Sequence, residues 1–137
     1  MRKLMTAAVA AGLFLSGAGV AAADAWHEAG PITTTGAWFS DWSYTWEPRG
    51  RNHGGFHFKG SLIDRNAGDG HNVYVQAKVE GYSWNRFNGV QKKTVALDKI
   101  VYDGAAQYTS TADIRVCRDR GSLRPDNCSH PKSYKRS

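Results

Sequence analysis

Period-two alternation is the feature that most narrows the folds open to this chain. From Ala37 to Trp46 the even positions read Trp38, Ser40, Trp42, Tyr44, Trp46, and the odd ones Ala37, Phe39, Asp41, Ser43, Thr45. Side chains of a strand alternate between faces, so this segment predicts a strand with one almost wholly aromatic face. Glu47-Pro48-Arg49-Gly50 ends it, because proline lacks the ladder donor and glycine permits a turn. Alternation returns from Phe56 to Asp64, with Phe56, Phe58 and Leu62 set against His57, Lys59 and Ser61. It returns again where Val73, Val75, Ala77 and Val79 face one way. The turn-rich DRNAGDG between these two runs predicts that they form a hairpin. Further runs span Lys93 to Val101 and Tyr108 to Arg118, and beyond the N-terminal segment no window holds a sustained apolar period of 3.6. The expected fold is all-β, a small antiparallel β-sandwich or barrel of about five or more strands.

The first residues predict export. Arg2 and Lys3 precede an apolar stretch from Met5 to Leu15, and small residues run on to Ala25. Cleavage after Ala23 would leave Asp24 first. The chain then divides into a signal peptide at 1–23, an extended N-terminal arm at 24–36 and a β-sandwich domain at 37–137. Nothing later approaches the roughly 18 apolar residues of a membrane helix, so an extracellular protein with no membrane partner is expected. In that oxidising setting Cys117 and Cys128, the chain's two cysteines, predict a disulfide that closes a C-terminal loop. A loop this short contributes roughly 3 kcal/mol when closed.

Charge is uneven. The formal +6 falls to +4 without Arg2 and Lys3. The segment 115–137 alone carries +5, from Arg115, Arg118, Arg120, Arg124, Lys132, Lys135 and Arg136 against Asp119 and Asp126. Such an end attracts anionic partners, or serves only solubility as a frayed tail. The arm DAWHEAGPITTT carries Trp26, Pro31 and Ile32, and can order itself on a partner as an added strand. The aromatics of the first strand fill a core or, where surplus, stack on sugars or anchor a protein interface.

Catalytic and metal motifs are weak. His53 and His57 on a continuous strand stand roughly 13 Å apart, too far to share a metal unless Gly54-Gly55 bends and His71 or Asp69 joins them. Asp64, Asn66 and Asp69 resemble a calcium loop but miss the EF-hand register, with Gly68 and Asp69 in the wrong order and Val75 where a glutamate belongs. No serine sits in a nucleophile elbow, and His57, Glu80 and Arg115 form a nuclease-like set by composition alone. No catalytic residue, metal or cofactor is predicted. Asn127-Cys128-Ser129 formally matches an N-glycosylation acceptor.

The segments GSLIDRNAGDGHNVYVQAKVEGY, from Gly60 to Tyr82, and IRVCRDRGSLRPDNC, from Ile114 to Cys128, resemble those of small secreted actinobacterial β-sandwich proteins. At this size and style the chain is also similar to the adaptor subunits of umbrella toxin particles, which tie a lectin-like subunit to a repeat-containing toxin scaffold. That resemblance implies a non-enzymatic protein-binding module with other secreted proteins as partners and no nucleic acid. The residues expected to meet a partner are Trp26, Pro31, Ile32, Trp38 and Phe39 at the aromatic end, and Arg118, Arg120 and Arg124 at the basic one. Carbohydrate or cell-wall binding is the alternative, and a small secreted hydrolase or nuclease the second.

Overall fold

The computed structural model describes residues 24–66 and 68–137, so the segment read as a signal peptide lies outside the described residues. Ten strands follow one another: β1 (His27–Ala29), β2 (Ile32–Thr34), β3 (Ala37–Trp46), β4 (Phe56–Asp64), β5 (Val73–Val79), β6 (Asn85–Asn88), β7 (Thr94–Val101), β8 (Thr111–Arg118), β9 (Asn127–Cys128) and β10 (Lys132–Lys135). They build two five-stranded antiparallel sheets that pack as a sandwich and do not close into a barrel. One sheet runs β1-β3-β4-β7 with β2 also on β3; the other runs β10-β8-β5-β6 with β9 also on β8.

The inward rows are largely those the alternation predicts. Phe56, Phe58 and Leu62 of β4 pack against Val73, Val75, Ala77 and Val79 of β5 and Ala112, Ile114 and Val116 of β8. The predicted hairpin between β4 and β5 does not form. β4 pairs with β3 and β7, whereas β5 pairs with β6 and β8 in the other sheet. Both strands bury an apolar row, and a crossing through the turn-rich loop brings those rows face to face across the core. Periodicity specifies which face is apolar; it does not specify the pairing partner.

The aromatic strand β3 departs from strict alternation. Its pairing with β4 slips between Ser40 and Ser43, and Asp41 has a φ of 50°, so two residues of β3 oppose Gly60. The extra residue reverses the facing of everything after it. Ala37 and Phe39 point inward before the bulge and Trp42, Tyr44 and Trp46 after it, while Trp38 is left on the outer face. The single aromatic face expected from the sequence is therefore corrected: Trp38 and Trp42 lie on opposite sides of the sheet. Gly60 makes room for the bulge, since a Cβ there would lie 2.3 Å from the Trp42 Cβ and 2.9 Å from the Phe39 ring.

Both ends of the chain serve as edge strands. β1 pairs with residues 42–44 of β3 and β2 with residues 37–39, with the break at Gly30–Pro31 opposite the bulge. There the Trp42 indole donates to the Gly30 carbonyl at 2.7 Å. The arm is thus part of the first sheet, because Ile32 and Ala29 have an apolar row to join. At the other end, β10 pairs with β8 and turns Tyr134 inward, where its ring lies 4.4 Å from that of Tyr44. The residues read as a frayed tail are ordered by this aromatic contact. They are held also by Arg136, which donates to the carbonyls of Glu47 and Gly54 at 2.8 and 2.9 Å and covers the ring of Tyr108.

Candidate functional site

β8 and β9 form a hairpin whose tip is braced by a disulfide and by side-chain hydrogen bonds. Cys117 and Cys128 stand directly opposite one another and are disulfide-bonded, with Cα atoms 4.1 Å apart. Beyond the bond, the chain would splay at Asp119–Asp126 without further ties, and two carboxylates supply them. Asp119 accepts from the Gly121 amide at 2.8 Å, which is reached because Gly121 takes a left-handed φ of 82°. It also accepts from the Arg86 guanidinium at 2.9 Å. These two donors hold the Asp119 carboxyl below its ordinary value despite some burial. Asp126 accepts from the Arg120 amide at 3.0 Å and from the Tyr74 hydroxyl. Burial first, then the bond to Asp126 and its charge, push the Tyr74 phenol up to about 12. Arg120 folds back to donate to the Pro125 carbonyl at 2.8 Å.

What this bracing presents is an apolar side chain. Leu123 is 96% exposed, with Ser122 and Arg124 exposed beside it. The disulfide and the hydrogen bonds at Arg120, Gly121 and Pro125 tie the backbone on either side of Leu123, which lowers the loop-ordering cost of a contact made there. Leu123 is not among the residues the sequence reading expects to bind. It is the one large aliphatic side chain between the two cysteines, and that is the signal by which it could be found.

The expected contact residues separate into surface and interior. Arg120 and Arg124 belong to the hairpin tip. Arg118 does not: its guanidinium pairs with Asp69 at 3.2 Å and its stem packs on Gly36, so it ties β8 to the β4–β5 crossing. Ile32 and Phe39 are 2% and 0% exposed and cannot meet a partner in this fold. Each falls on the inward row of its strand, Ile32 opposite Phe39 itself. Pro31 is exposed at the break in the edge. Trp26 and Trp38, 40% and 36% exposed, lie at opposite ends of the outer face of the first sheet, each under a cation, Lys59 and Arg65 respectively.

The candidate chemistry is dispersed. His57 is on that same outer face between Asp98 and Glu47, at 2.5 and 3.4 Å, with Trp26 edge-on at 4.8 Å. A hollow of about 220 Å³ beside it is lined by Trp26, Glu47 and Arg51 among others. Arg115 is on the outer face of the other sheet, held by Gln76 and stacked at 4.2 Å on Trp84. Glu80 follows β5, where burial alone would raise its pKa. The amides of Thr111 and Ser110 and the Ser110 hydroxyl outweigh burial and hold it low. His57, Glu80 and Arg115 therefore do not converge. His53 donates from Nδ1 to the Ala106 carbonyl and stacks on Tyr102, and no trio of metal-ligating side chains gathers among the described residues. Asp64 accepts the amides of Asn66 and Lys92, and Asp69 that of His71, so the DRNAGDG carboxylates stabilise turns.

Comparison with protein-family models, with curated proteins and with solved structures gives no match for this chain.

Proposed function

We propose that the protein is a secreted, non-enzymatic binding module that engages another protein through the β8–β9 hairpin tip, as an adaptor or accessory subunit of an extracellular assembly. The observation that carries this reading is Leu123, held almost fully in solvent on a loop tied by the disulfide, Asp119 and Asp126. Burying an apolar side chain this exposed is favourable on contact, and Arg124 beside it is of a residue type enriched at interface hot spots. The class of partner is the one the sequence resemblance implies, a lectin-like or repeat-containing toxin subunit secreted alongside it.

The test places a photo-crosslinking amino acid at position 123 and exposes the purified mature chain to culture supernatant of the producing cells. A single secreted protein that both crosslinks at 123 and co-elutes with the wild type supports the reading. A chain that elutes alone removes it. A co-eluting protein equally bound by Leu123→Ala and Arg124→Ala variants removes the hairpin as the surface.

Trp26 and Trp38 favour a second reading, as stacking platforms for a glycan laid across the outer face of the first sheet, with Ser43, Lys59 and Ser61 between them. Unchanged tryptophan emission on adding chitin, peptidoglycan or glucans ends it.

A further inference from the structure

β7 is the end strand of the first sheet. It pairs with β4 on one side and, among the described residues, with nothing on the other. The ladder says which of its backbone groups are free. The Asp64 amide donates to the Lys93 carbonyl, and in an antiparallel pair hydrogen-bonded positions recur every second residue. Val95, Leu97, Lys99 and Val101 therefore spend their backbone groups on β4. Thr94, Ala96, Asp98 and Ile100 point theirs outward, an unpaired row along the edge.

β6 is the corresponding end strand of the second sheet, joined to β7 by the connection at 89–93. Because the sandwich does not close there, β6 and β7 flank a cleft of about 540 Å³. Phe87, Val95 and Leu97 give it an apolar part, beside the polar groups of Arg86, Asn88, Asp98 and Lys99. Two charged residues of β7 line it: Asp98, whose carboxylate turns to His57 on the outer face, and Lys99 on the inward row, its ammonium 5.9 Å from the Phe87 ring and without an acidic partner among the described residues. An inward-pointing lysine on an edge strand discourages indiscriminate pairing, since a strand that covers it with an apolar side chain buries an unpaired charge. Arg86 stands at the margin with its own charge given to Asp119.

We infer that the β6–β7 cleft is a strand-accepting site, which takes an extended segment of a partner protein bearing apolar side chains opposite Val95 and Leu97 and a carboxylate opposite Lys99. The segment pairs with the outward groups of Thr94, Ala96, Asp98 and Ile100, and its alternate side chains fill the cleft. It gives the adaptor reading a second surface but stands on β7 and β6 alone, independent of Leu123.

The experiment uses the mature protein, isotope-labelled, and two capped peptides, Thr-Glu-Thr-Val-Thr-Val-Thr and its reverse, which cover both strand directions. At millimolar peptide, the amides of Thr94, Ala96, Asp98 and Ile100 should shift and exchange at least tenfold more slowly with solvent. Peptides with lysine in place of glutamate should bind at least tenfold more weakly. Ala96→Pro removes only an outward donor, so it should abolish the response while leaving the rest of the spectrum in place. Lys99→Glu, which keeps the test open if the proline variant does not fold, should invert the preference to the lysine peptides. Four unmoved amides, or equal responses to both charges, overturn the proposal. So does protection that rises with protein concentration alone, which would make the occupant a second copy. Because the Leu123→Ala chain should bind these peptides unchanged, failure here and failure of the hairpin reading are told apart.

Discussion

Replacing Gly60 with alanine tests the bulge that sets the facing of half of β3. The added Cβ would lie 2.3 Å from the Trp42 Cβ and 2.9 Å from both the Trp42 Cα and the Phe39 ring. Two of these atoms are fixed by the backbone, so no rotamer change relieves the contact. Either β3 and β4 part by roughly 1 Å or more, or the bulge migrates and strains the Trp42–Gly30 hydrogen bond. Overpacking of this kind costs about 1–3 kcal/mol, and a clash set in backbone belongs at the upper end, about 3 kcal/mol. Gly30, where an added methyl group would meet nothing within 4 Å, serves as the control and should change by less than about 0.5 kcal/mol. For a domain near this size 1 kcal/mol corresponds to about 4 °C in Tm, so Gly60→Ala should melt about 12 °C lower by calorimetry. A loss below about 1 kcal/mol would show that the strands separate freely at this point. The bulge would then not be locked by Gly60.

Reducing the disulfide bears on the hairpin: with the cysteines 11 residues apart, Cys117→Ser with Cys128→Ser should cost about 3 kcal/mol in urea unfolding, and intact mass should show the wild type two hydrogens lighter than its reduced form. Leu123→Ala should leave the urea midpoint unchanged, because a side chain 96% exposed has little burial to lose, while abolishing partner capture. Glu80 and Asp119 are held below the ordinary carboxylate range, so the stability each contributes is complete above its unfolded pKa and is lost as pH falls through its folded one. Acid unfolding should therefore set in below about pH 4, with a shallower slope in Glu80→Gln. Tyr74 has the opposite sense: its neutral form is favoured on folding, so its share of stability is full below about pH 10 and lost as pH rises toward about 12, which phenolate absorbance reads directly.

The sequence carried the fold class, the inward rows of β4, β5 and β8 and the disulfide, because each rests on local regularity: a period of two, or a cysteine pair. It was silent where the outcome depends on one residue out of register or on a distant partner. The bulge at Asp41 cannot be told from strict alternation while every even position nearby but Ser40 is aromatic, and it moved Trp42 into the core and Trp38 out of it. The sheet to which β5 belongs depends on which apolar row covers which, a property of the whole sandwich. β10 has four residues and only Tyr134 to mark it, and its ordering depends on Tyr44 and Phe56, far away in the chain. Of the expected contact residues, Arg120, Arg124, Trp26, Trp38 and Pro31 reach the surface. Ile32, Phe39 and Arg118 are spent on packing because composition names residue types without saying which row they occupy.

The way polar chemistry is allotted bears on the choice between a catalyst and a binder. Carboxylates that could act as acids or bases are largely committed to amides: Asp64 to Asn66 and Lys92, Asp69 to His71, Glu80 to Ser110 and Thr111, Asp119 to Gly121, Asp126 to Arg120. Each such bond fixes a turn that the strands alone would leave loose, and Glu80 and Asp119, held low by their donors, are poorly suited to accept a proton near neutral pH. His57 keeps two carboxylate neighbours, Glu47 and Asp98, with the Trp26 ring edge-on beside it. What the fold leaves uncommitted is of another kind: an apolar side chain on a rigid tip, and a row of backbone donors and acceptors along β7. Neither can make or break a bond. On the proposed reading they are an apolar anchor and an unpaired edge, and Arg86 touches both regions, lining the cleft and pairing with Asp119 of the hairpin.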